Sequence, residues 1–429
     1  MAKMEQLHAM LARSLASTLE DRSIDIVNQA RDLLHERPVV QLDTTNEEVR
    51  VFLAGHPDLE VVAVVNEQNR PIGLINRFIF AEAYAHPFAR EVYGKRSCIA
   101  WMDKDPLVLD EETGIEALIK AALAKGPRVL KDGFIGTRDG RYIGQGTGFA
   151  LMKAMEALET ERSRQVMESI EYASTIQRSH LRTSNLHLAE TLKDYALHWA
   201  PRDVVGGDCY FFRRTQAGLF GAIVDCTGHG VPGAFMSLIT LSFLGFLIGD
   251  GQERVGPGQA LTLLNQHIKA VLSQAQAPEM EAWEADSLRV SDDGLDAACF
   301  LLAPDGTRLV FAGARMPMFL VNEDPEESRI IEAERMGVGY VGTPDDHLWL
   351  EQDVSLPCGS RVVIPTDGIT DQVGGPNGLS LGRRRLMEWL IGTRTLSAEA
   401  IGQRFLDLLG AWQGEQVRRD DATFLVFTP

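Results

Sequence analysis

One segment, residues 149–198, constrains the fold more than any other part of the chain because it contains neither glycine nor proline. Its apolar residues recur at steps of three or four, which places them on one face of a helix. This pattern predicts a long helical linker over residues 151–198. The 429-residue chain therefore divides into an amino-terminal part and a larger carboxy-terminal part. The apolar positions are Leu151, Met155, Leu158, Val166, Ile170, Ala173 and Ile176.

The amino-terminal part changes its pattern at Pro38. Before it, leucines at helical spacing predict a helix over residues 1–36, so that residues 1–37 form an amino-terminal helical segment. After it, residues 38–150 show the order strand, strand, helix twice. The second pair of strands is a hairpin whose turn residues, Asp139 and Gly140, tolerate a positive φ. We therefore expect a small α/β module with an internal repeat.

The carboxy-terminal part, residues 199–429, mixes strands and helices without the regular alternation that builds a doubly wound sheet. We expect an α+β fold arranged in layers. Its most apolar stretch, residues 231–249, carries no charged residue and is long enough to span a membrane. Pro232 starts a helix there, Gly245 interrupts it, and polar motifs lie on both sides. These features favour a buried core helix and no membrane insertion.

The composition of the chain argues against some classes of binding partner. The chain has 42 Lys and Arg against 60 Asp and Glu, a net charge of −18. Nucleic acid and anionic membranes are therefore not expected as main partners, because no excess of basic residues exists to neutralise phosphates. The five cysteines form no CxxC pair, and the start of the chain lacks a secretory signal pattern. Both observations predict a protein of the reducing cytoplasm.

Several aspartates lie at strand ends or glycine-rich turns. Asp208 ends VVGGD, Asp225 opens DCTGHG, Asp367 lies in PTDGITD, and Asp420 and Asp421 lie in RRDDATFLVF. Each alone is more often a turn former than a ligand. Together they offer the oxygen ligands that a hard octahedral cation binds. No histidine pair at zinc spacing and no GxxxxGK[ST] loop occurs, which excludes zinc hydrolases and P-loop proteins.

These motifs resemble the PPM family of metal-dependent serine/threonine protein phosphatases, in its bacterial SpoIIE/RsbU-like branch. The resemblance covers residues 169–429 and implies an α/β/β/α sandwich that hydrolyses phosphoserine or phosphothreonine. Its motifs occur in family order and spacing: VVGGDCYFF (204–212), DCTGHGVPGAFMS (225–237), DGLDAACF (293–300), FAGARMPMFLV (311–321), TDGITD (366–371) and RRDDATFLV (418–426).

The resemblance implies two Mg²⁺ or Mn²⁺ ions in one active site. In the family pattern Asp225 bridges the two ions, and the main-chain carbonyl of Cys226 binds one of them. Asp208 supports that same ion, while Asp367 and Asp420 hold the other. Two such ions activate a water molecule for direct attack on phosphorus, so neither a covalent intermediate nor a nucleophilic cysteine is needed.

Other polar residues near these motifs have weaker expected roles. Asp421 is expected to support the site without binding metal. We find no counterpart of the arginine that binds substrate phosphate in eukaryotic relatives. Phosphate capture then rests on the metals, with His229 or Arg202 as helpers, and Arg202 is better interpreted as a surface residue.

Residues 38–150 resemble the CBS-pair module found before bacterial signalling domains. The segments that carry this resemblance are NEQNRPIGLINR (66–77), FAREVYGKR (88–96), MDKDPLVLD (102–110) and DGFIGTRDGRYIGQGT (132–147). Such modules bind adenine nucleotides or only dimerise, and both roles stay open here. Thr113 and Asp139 match the nucleotide-binding pattern poorly.

The sequence therefore predicts a cytoplasmic signalling phosphatase that forms a homodimer through the CBS-like module and the helical linker. By resemblance, its substrate is a phosphorylated STAS-domain protein of the anti-anti-sigma type. Two alternatives remain. One is a non-catalytic regulator that binds a phosphoprotein, and the other is an adenine-nucleotide sensor that acts through residues 38–150.

Overall fold

The computed structural model describes residues 28–249, 255–274 and 292–429. Most of the helix predicted over residues 1–36 and nearly all of the loop predicted over residues 275–292 lie outside these ranges. The chain divides into two compact units, Met1–Gln165 and Val166–Pro429.

The first unit contains two copies of one small arrangement. Its elements are the 3-10 helix Ala30–Leu33, β1 (Val40–Gln41), α1 (Asn46–Gly55), β2 (Val61–Val65), β3 (Pro71–Asn76), α2 (Arg77–Ala85), α3 (Ala89–Tyr93), the 3-10 helix Cys98–Ala100, β4 (Val108–Asp110), α4 (Ile115–Lys125), α5 (Arg128–Asp132), β5 (Phe134–Arg138) and β6 (Arg141–Gly146). In each copy the first strand is parallel to the second, and the second is antiparallel to the third. An internal repeat is therefore present, as predicted, but its predicted order is wrong: each copy has the order strand, helix, strand, strand, because helical residues separate β1 from β2 and β4 from β5.

The turn between β5 and β6 has the predicted geometry, with positive φ at Asp139 (54°) and Gly140 (73°). The helix predicted over residues 1–36 is wrong for its described end, which contains only the 3-10 helix Ala30–Leu33. The reason is that Gln29 and His35 on either side form β-bridges with the second copy of the repeat. These bridges require an extended backbone.

The linker is one helix, α6 (Gly148–Thr191), of 44 residues. It ends before the predicted boundary at residue 198, because Asp194–Ala200 forms strand β7 along the last strand of the chain. Tyr195, Leu197 and Trp199 alternate along β7 and pack against the main core of the second unit. The apolar residues before β7 have helical spacing, so the linker helix was predicted to continue through the alternating residues of β7.

The second unit contains eleven further strands and five further helices within the described residues. They are β8 (Cys209–Thr215), β9 (Gly218–Cys226), α7 (Gly230–Leu247), α8 (Pro257–Val271), β10 (Leu295–Leu302), β11 (Arg308–Ala314), β12 (Met318–Val321), the 3-10 helix Pro325–Glu327, β13 (Arg329–Ile331), β14 (Gln352–Ser355), β15 (Arg361–Pro365), α9 (Asp367–Thr370), β16 (Val373–Gly374), β17 (Leu379–Ser380), α10 (Gly382–Thr393), α11 (Ala398–Gln413) and β18 (Ala422–Thr428).

Two antiparallel five-stranded sheets form the centre of this unit, in the orders β14-β11-β10-β9-β8 and β13-β12-β15-β18-β7. Helices α7 and α8 contact the first sheet, and α10 and α11 contact the second. Helices therefore cover both outer faces. The α+β fold and the α/β/β/α sandwich predicted from the sequence are confirmed.

Aromatic side chains fill the space between and around the sheets. Phe300 and Phe427 stack across the two sheets with ring centroids 5.5 Å apart. On the outer face of the second sheet, Phe405 of α11 stacks on Phe424 at 3.8 Å. This packing fixes the sheets face to face, so that strand ends from both meet at one edge.

Helix α7 is the apolar segment that could be mistaken for a membrane span. By length and hydropathy alone it could cross a membrane. Leu241 and Leu244 are buried in the main core, whereas Phe246 is 70% exposed. One face of α7 packs on β8, β9 and α8, as expected for a core helix.

Candidate active site

Four of the predicted aspartates come from strand ends of both sheets. Asp208 precedes β8, Asp225 lies near the end of β9, Asp367 begins α9 after β15, and Asp420 precedes β18. Burial, together with the carboxylates of Asp208, Asp367 and Asp420, holds the pKa of Asp225 well above its usual range. The carboxyl groups of Asp225 and Asp367 lie within hydrogen-bonding reach of each other. The fold therefore gathers these four side chains into one acidic cluster.

A fifth carboxylate, Asp296 on β10, was not predicted as a site residue. It lies directly opposite Asp225 in the register of β9 and β10. Burial raises the pKa of Asp296 to about 6, and the Arg315 guanidinium opposes this shift. The signal was present in the motif DGLDAACF, but only the strand register shows that its second aspartate faces Asp225.

Asp208 is the most deeply buried of these side chains, with no exposed surface. One carboxylate oxygen, Oδ2, accepts hydrogen bonds from the hydroxyls of Thr366 (2.8 Å) and Thr423 (2.7 Å). The other oxygen, Oδ1, is buried and has no hydrogen-bond partner. Burial raises the pKa of the Asp208 carboxyl to about 8. A buried oxygen without a partner is costly unless a cation or water binds it.

Asp421 has a different role from its neighbour Asp420. Its Oδ1 accepts a hydrogen bond from the main-chain N–H of Arg202 (2.5 Å), and its Oδ2 accepts one from Gly207 (2.6 Å). A Cβ on Gly206 would lie within 2.8 Å of the same carboxylate. Asp421 thus fixes the backbone of the loop that carries Asp208, in line with the supporting role expected from the sequence.

Glycines bring main-chain carbonyl groups close to this loop. A Cβ on Gly207 would lie 2.7 Å from the carbonyl oxygens of both Cys226 and Gly228. A side chain at position 207 would therefore push the loop away from the end of β9. The Cys226 carbonyl is the atom that the family pattern assigns to a metal, whereas the Cys226 thiol is buried in the core.

The acidic cluster opens into a cleft that also contains two arginines. Arg315 and Arg383 line this cleft together with Asp225, Asp296 and Asp367. Sequence reasoning missed both arginines, which are 68 residues apart in the chain. Only the arrangement of β11, β12 and α10 brings them to the same place.

The two residues suggested as helpers do not line this cleft. The His229 Nδ1 atom is 2.9 Å from an Asp203 carboxylate oxygen, and both side chains are exposed. The Arg202 guanidinium donates to the carbonyl oxygen of Arg419 (3.0 Å). Arg202 is a surface residue, as favoured from the sequence.

The chemistry of the donor set fits a hydrated divalent cation. Asp225 and Asp367 share a region where burial and neighbouring carboxylates raise the pKa of both groups, and positive charge would relieve that repulsion. Across the described ranges, no three His, Cys, Asp or Glu side chains already converge on one ion position. Mg²⁺ keeps several waters and needs few protein ligands, so carboxylates, a main-chain carbonyl and water together provide a suitable set.

The long helix α6 reaches the same loop through a buried glutamine. The Gln177 side chain donates from Nε2 to the Gly206 carbonyl oxygen (2.7 Å) and to the Ser237 hydroxyl (2.8 Å). Gly206 is two residues before Asp208. The second half of the linker helix therefore contacts directly the loop that positions a candidate metal ligand.

Comparisons with known proteins agree with this architecture. The family model for stage II sporulation protein E (SpoIIE) matches residues 215–429. The SiaA-PP2C domain of Pseudomonas aeruginosa is 30% identical with a TM-score of 0.53, and the alignment covers 62% of this chain and 98% of that domain. No curated protein matches the chain significantly.

Two more distant solved structures also match part of the chain. The PP2C phosphatase domain of SpoIIE from Bacillus subtilis, solved with a fragment of its regulatory domain, is 17% identical with a TM-score of 0.40 and covers 55% of this chain and 62% of that one. The catalytic domain of the phosphatase PstP, solved with two manganese ions, is 14% identical with a TM-score of 0.37 and covers 54% and 96%.

The layered fold and the acidic cleft at the strand ends define a PP2C-type phosphatase domain. Half of the chain matches the SpoIIE family model. The chain belongs to the SpoIIE family.

Proposed function

We propose that this protein is a metal-dependent serine/threonine phosphatase that removes the phosphoryl group from a partner protein in a bacterial signalling system. The acidic cluster supports this proposal most strongly, because Asp208 keeps a buried oxygen without a partner beside Asp225 and Asp367. Such a cluster is unfavourable without bound positive charge. Its residues are also the ones that the family pattern assigns to two Mg²⁺ or Mn²⁺ ions.

In this proposal each acidic residue has a distinct role. Asp225 would bind both ions, and the main-chain carbonyl of Cys226 and Asp208 would hold the first. Asp367 and Asp420 would hold the second. When bound, two such cations lower the pKa of a shared water towards about 7 and stabilise the phosphoryl oxygens.

Hydrogen bonds within the protein hold the proposed metal ligands in place. The Thr366 and Thr423 hydroxyls fix one oxygen of Asp208, so the carboxylate cannot rotate freely. Asp421 holds the preceding backbone through two N–H groups. Arginines and acidic residues line the cleft through which a substrate would enter. Rigid support of this kind matters because phosphoryl transfer depends on accurate positioning.

The partner, assembly and location are also proposals. We infer a phosphoserine or phosphothreonine on a STAS-domain protein as the substrate, from the resemblance to the RsbU-like branch. Residues 38–150 would act as a CBS-like module that dimerises with the linker, in the cytoplasm. Five unpaired cysteines, four of them buried, agree with a reducing compartment.

The deciding experiment measures phosphate release from phosphorylated STAS-domain proteins of the same cell, with Mn²⁺ and with a chelator. Release that requires Mn²⁺ supports the proposal. Tight binding of the phosphoprotein without any release, in either condition, would instead support a non-catalytic regulator. Saturable binding of ATP or AMP that sets the release rate would identify the amino-terminal unit as a nucleotide sensor.

A further inference from the structure

We propose that Arg315 and Arg383 together bind the phosphoryl group of the substrate at the edge of the acidic cleft. This inference rests on the proposed phosphatase function and specifies which residues recognise the substrate. These two residues would provide the positively charged contact with phosphate, for which the sequence shows no counterpart of the arginine found in eukaryotic relatives.

Arg315 is held in place by its backbone and by an aromatic ring. It lies between β11 and β12 with a φ of 57°, a backbone conformation that residues other than glycine rarely adopt. Its N–H donates to the Glu334 carbonyl oxygen (2.7 Å), which fixes this unusual geometry. The guanidinium carbon lies 4.5 Å from the ring centre of Tyr340. Strained backbone that its surroundings hold in this way is often found at functional sites.

The guanidinium group of Arg315 is only partly neutralised and hydrogen-bonded by its neighbours. Its Nη1 lies 3.6 Å from Asp296 Oδ1, longer than a good hydrogen bond, and its Nε donates to the Arg335 carbonyl oxygen (3.2 Å). The side chain keeps 43% of its surface exposed in the cleft wall. A guanidinium has five N–H donors, so donors remain for a ligand.

Arg383 adjoins Arg315 from another element. It lies in the first turn of α10, and its Nη2 is 3.5 Å from the Arg315 carbonyl oxygen. Its Nη1 is 3.6 Å from an oxygen of Glu332, again a long ion pair. Arg383 lines the same cleft as Asp225 and Asp367. The two guanidinium groups therefore come from separate elements and lie on the wall beside the proposed metal ligands.

The chemistry of a phosphoryl group matches this arrangement. A phosphorylated serine carries roughly two negative charges at neutral pH, with three acceptor oxygens. Guanidinium groups bind such oxygens in pairs, which lysine cannot do. Among the residues that line the cleft, Arg315 and Arg383 are the cationic ones. Arg202 and His229 do not line that wall, and their side chains contact the Arg419 carbonyl oxygen and the Asp203 carboxylate.

The alternative role of these arginines is to neutralise Asp296 and Asp367 without touching the substrate. The two roles predict different effects when arginine is replaced by lysine. A lysine retains the charge and would still neutralise a carboxylate, but it loses the paired donors that hold a phosphoryl group. Replacement by lysine therefore distinguishes the two roles.

The test uses the full chain with Mg²⁺ and compares the wild type with Arg315→Gln, Arg315→Lys and Arg383→Gln. The substrate is p-nitrophenyl phosphate, and binding of inorganic phosphate is measured by calorimetry. We expect each Gln variant to raise KM and to weaken phosphate binding by roughly 10- to 100-fold, the effect of losing hydrogen bonds to a charged group. Arg315→Lys should restore little, and the Mg²⁺ concentration for half-maximal activity should stay unchanged.

The matched control is Arg384→Gln, next to Arg383 on the same helix. Arg384 is 86% exposed and pairs with Glu388, away from the cleft. It should leave KM and phosphate binding unaltered. Thermal unfolding of every variant establishes that it folds, and Arg383→Gln tests the inference independently if the strained position 315 does not tolerate replacement.

The inference is overturned if the Gln variants at positions 315 and 383 bind phosphate as the wild type does. Full recovery in Arg315→Lys, or a change in Mg²⁺ requirement alone, would also overturn it by showing that these residues only neutralise carboxylates. A wild type that releases no phosphate from any phosphoprotein would contradict the proposed function itself, which is a separate outcome.

Discussion

Asp225 and Asp296 lie directly opposite each other on the neighbouring antiparallel strands β9 and β10. Like charges at such a position destabilise a sheet. Burial raises the pKa of Asp296 to about 6, and burial with nearby carboxylates raises that of Asp225 well above its usual range. Ionisation of either buried group therefore costs stability, and the Asp367 carboxylate adds to that cost at both. Bound divalent cations would remove this cost, which connects the sheet register to the proposed chemistry.

The metal-free protein should lose stability as the pH rises. Carboxyl groups whose pKa is raised on folding bind protons more tightly in the folded state, so their contribution is complete near the unfolded pKa and falls above it. Asp296 and Asp208, with pKa values of about 6 and about 8, set the window from roughly pH 4 to pH 8. Thermal unfolding in a chelator should show a falling midpoint across this window.

Two comparisons check the cause of that effect. Addition of Mn²⁺ should raise the unfolding midpoint most at the alkaline end of the window. Asp208→Asn, which cannot ionise, should flatten the pH dependence in the chelator. A metal-free midpoint that rises with pH over the same range would show that the acidic cluster is not under this strain.

Gly207→Ala should abolish phosphate release and destabilise the second unit. The added Cβ would lie 2.7 Å from the carbonyl oxygens of Cys226 and Gly228, and neither is a flexible group. The loop before Asp208 must then move. The matched control is Gly245→Ala in helix α7, where a Cβ meets nothing within 4 Å. It should stabilise the protein by about 0.5–1 kcal/mol and leave activity intact.

Gln177→Leu should lower turnover and raise the Mn²⁺ concentration needed for half-maximal activity. The change removes hydrogen bonds from helix α6 to the Gly206 carbonyl and the Ser237 hydroxyl. The buried partners left behind would cost roughly 1–3 kcal/mol each. Ser179→Ala, at an exposed position on the same helix, is the control. Equal metal requirements in the two variants would argue against control of the Asp208 loop by the linker.

Leu244→Asp should unfold the second unit, whereas Phe246→Asp should be tolerated. Leu244 is fully buried against the sheet, and Phe246 is 70% exposed two residues later. An unpaired buried charge costs several kcal/mol. Circular dichroism during thermal unfolding separates the two variants. Equal tolerance of both would mean that α7 is not a core helix.

Sequence patterns predicted the layered fold and most residues of the acidic cluster, because strand ends and glycine-rich turns are local features. The residues that were missed depend on long-range geometry. Asp296 belongs to the site through the register of β9 and β10, and Arg315 and Arg383 meet only after β12 and α10 have packed. Residues 194–198 of strand β7 fall within the predicted linker helix because the pairing partner of this strand, β18, lies more than two hundred residues away.

The most direct test of the account compares phosphate release by the wild type and by Asp225→Asn over a range of Mn²⁺ concentrations. The substrate is a phosphorylated STAS-domain protein. Because Asp225 is proposed to bind both ions, its loss should remove the metal-dependent activity as a unit, by more than about a thousandfold. Thermal unfolding should show that the variant stays folded and, without metal, is at least as stable as the wild type. Unchanged Mn²⁺-dependent release by folded Asp225→Asn would contradict the account.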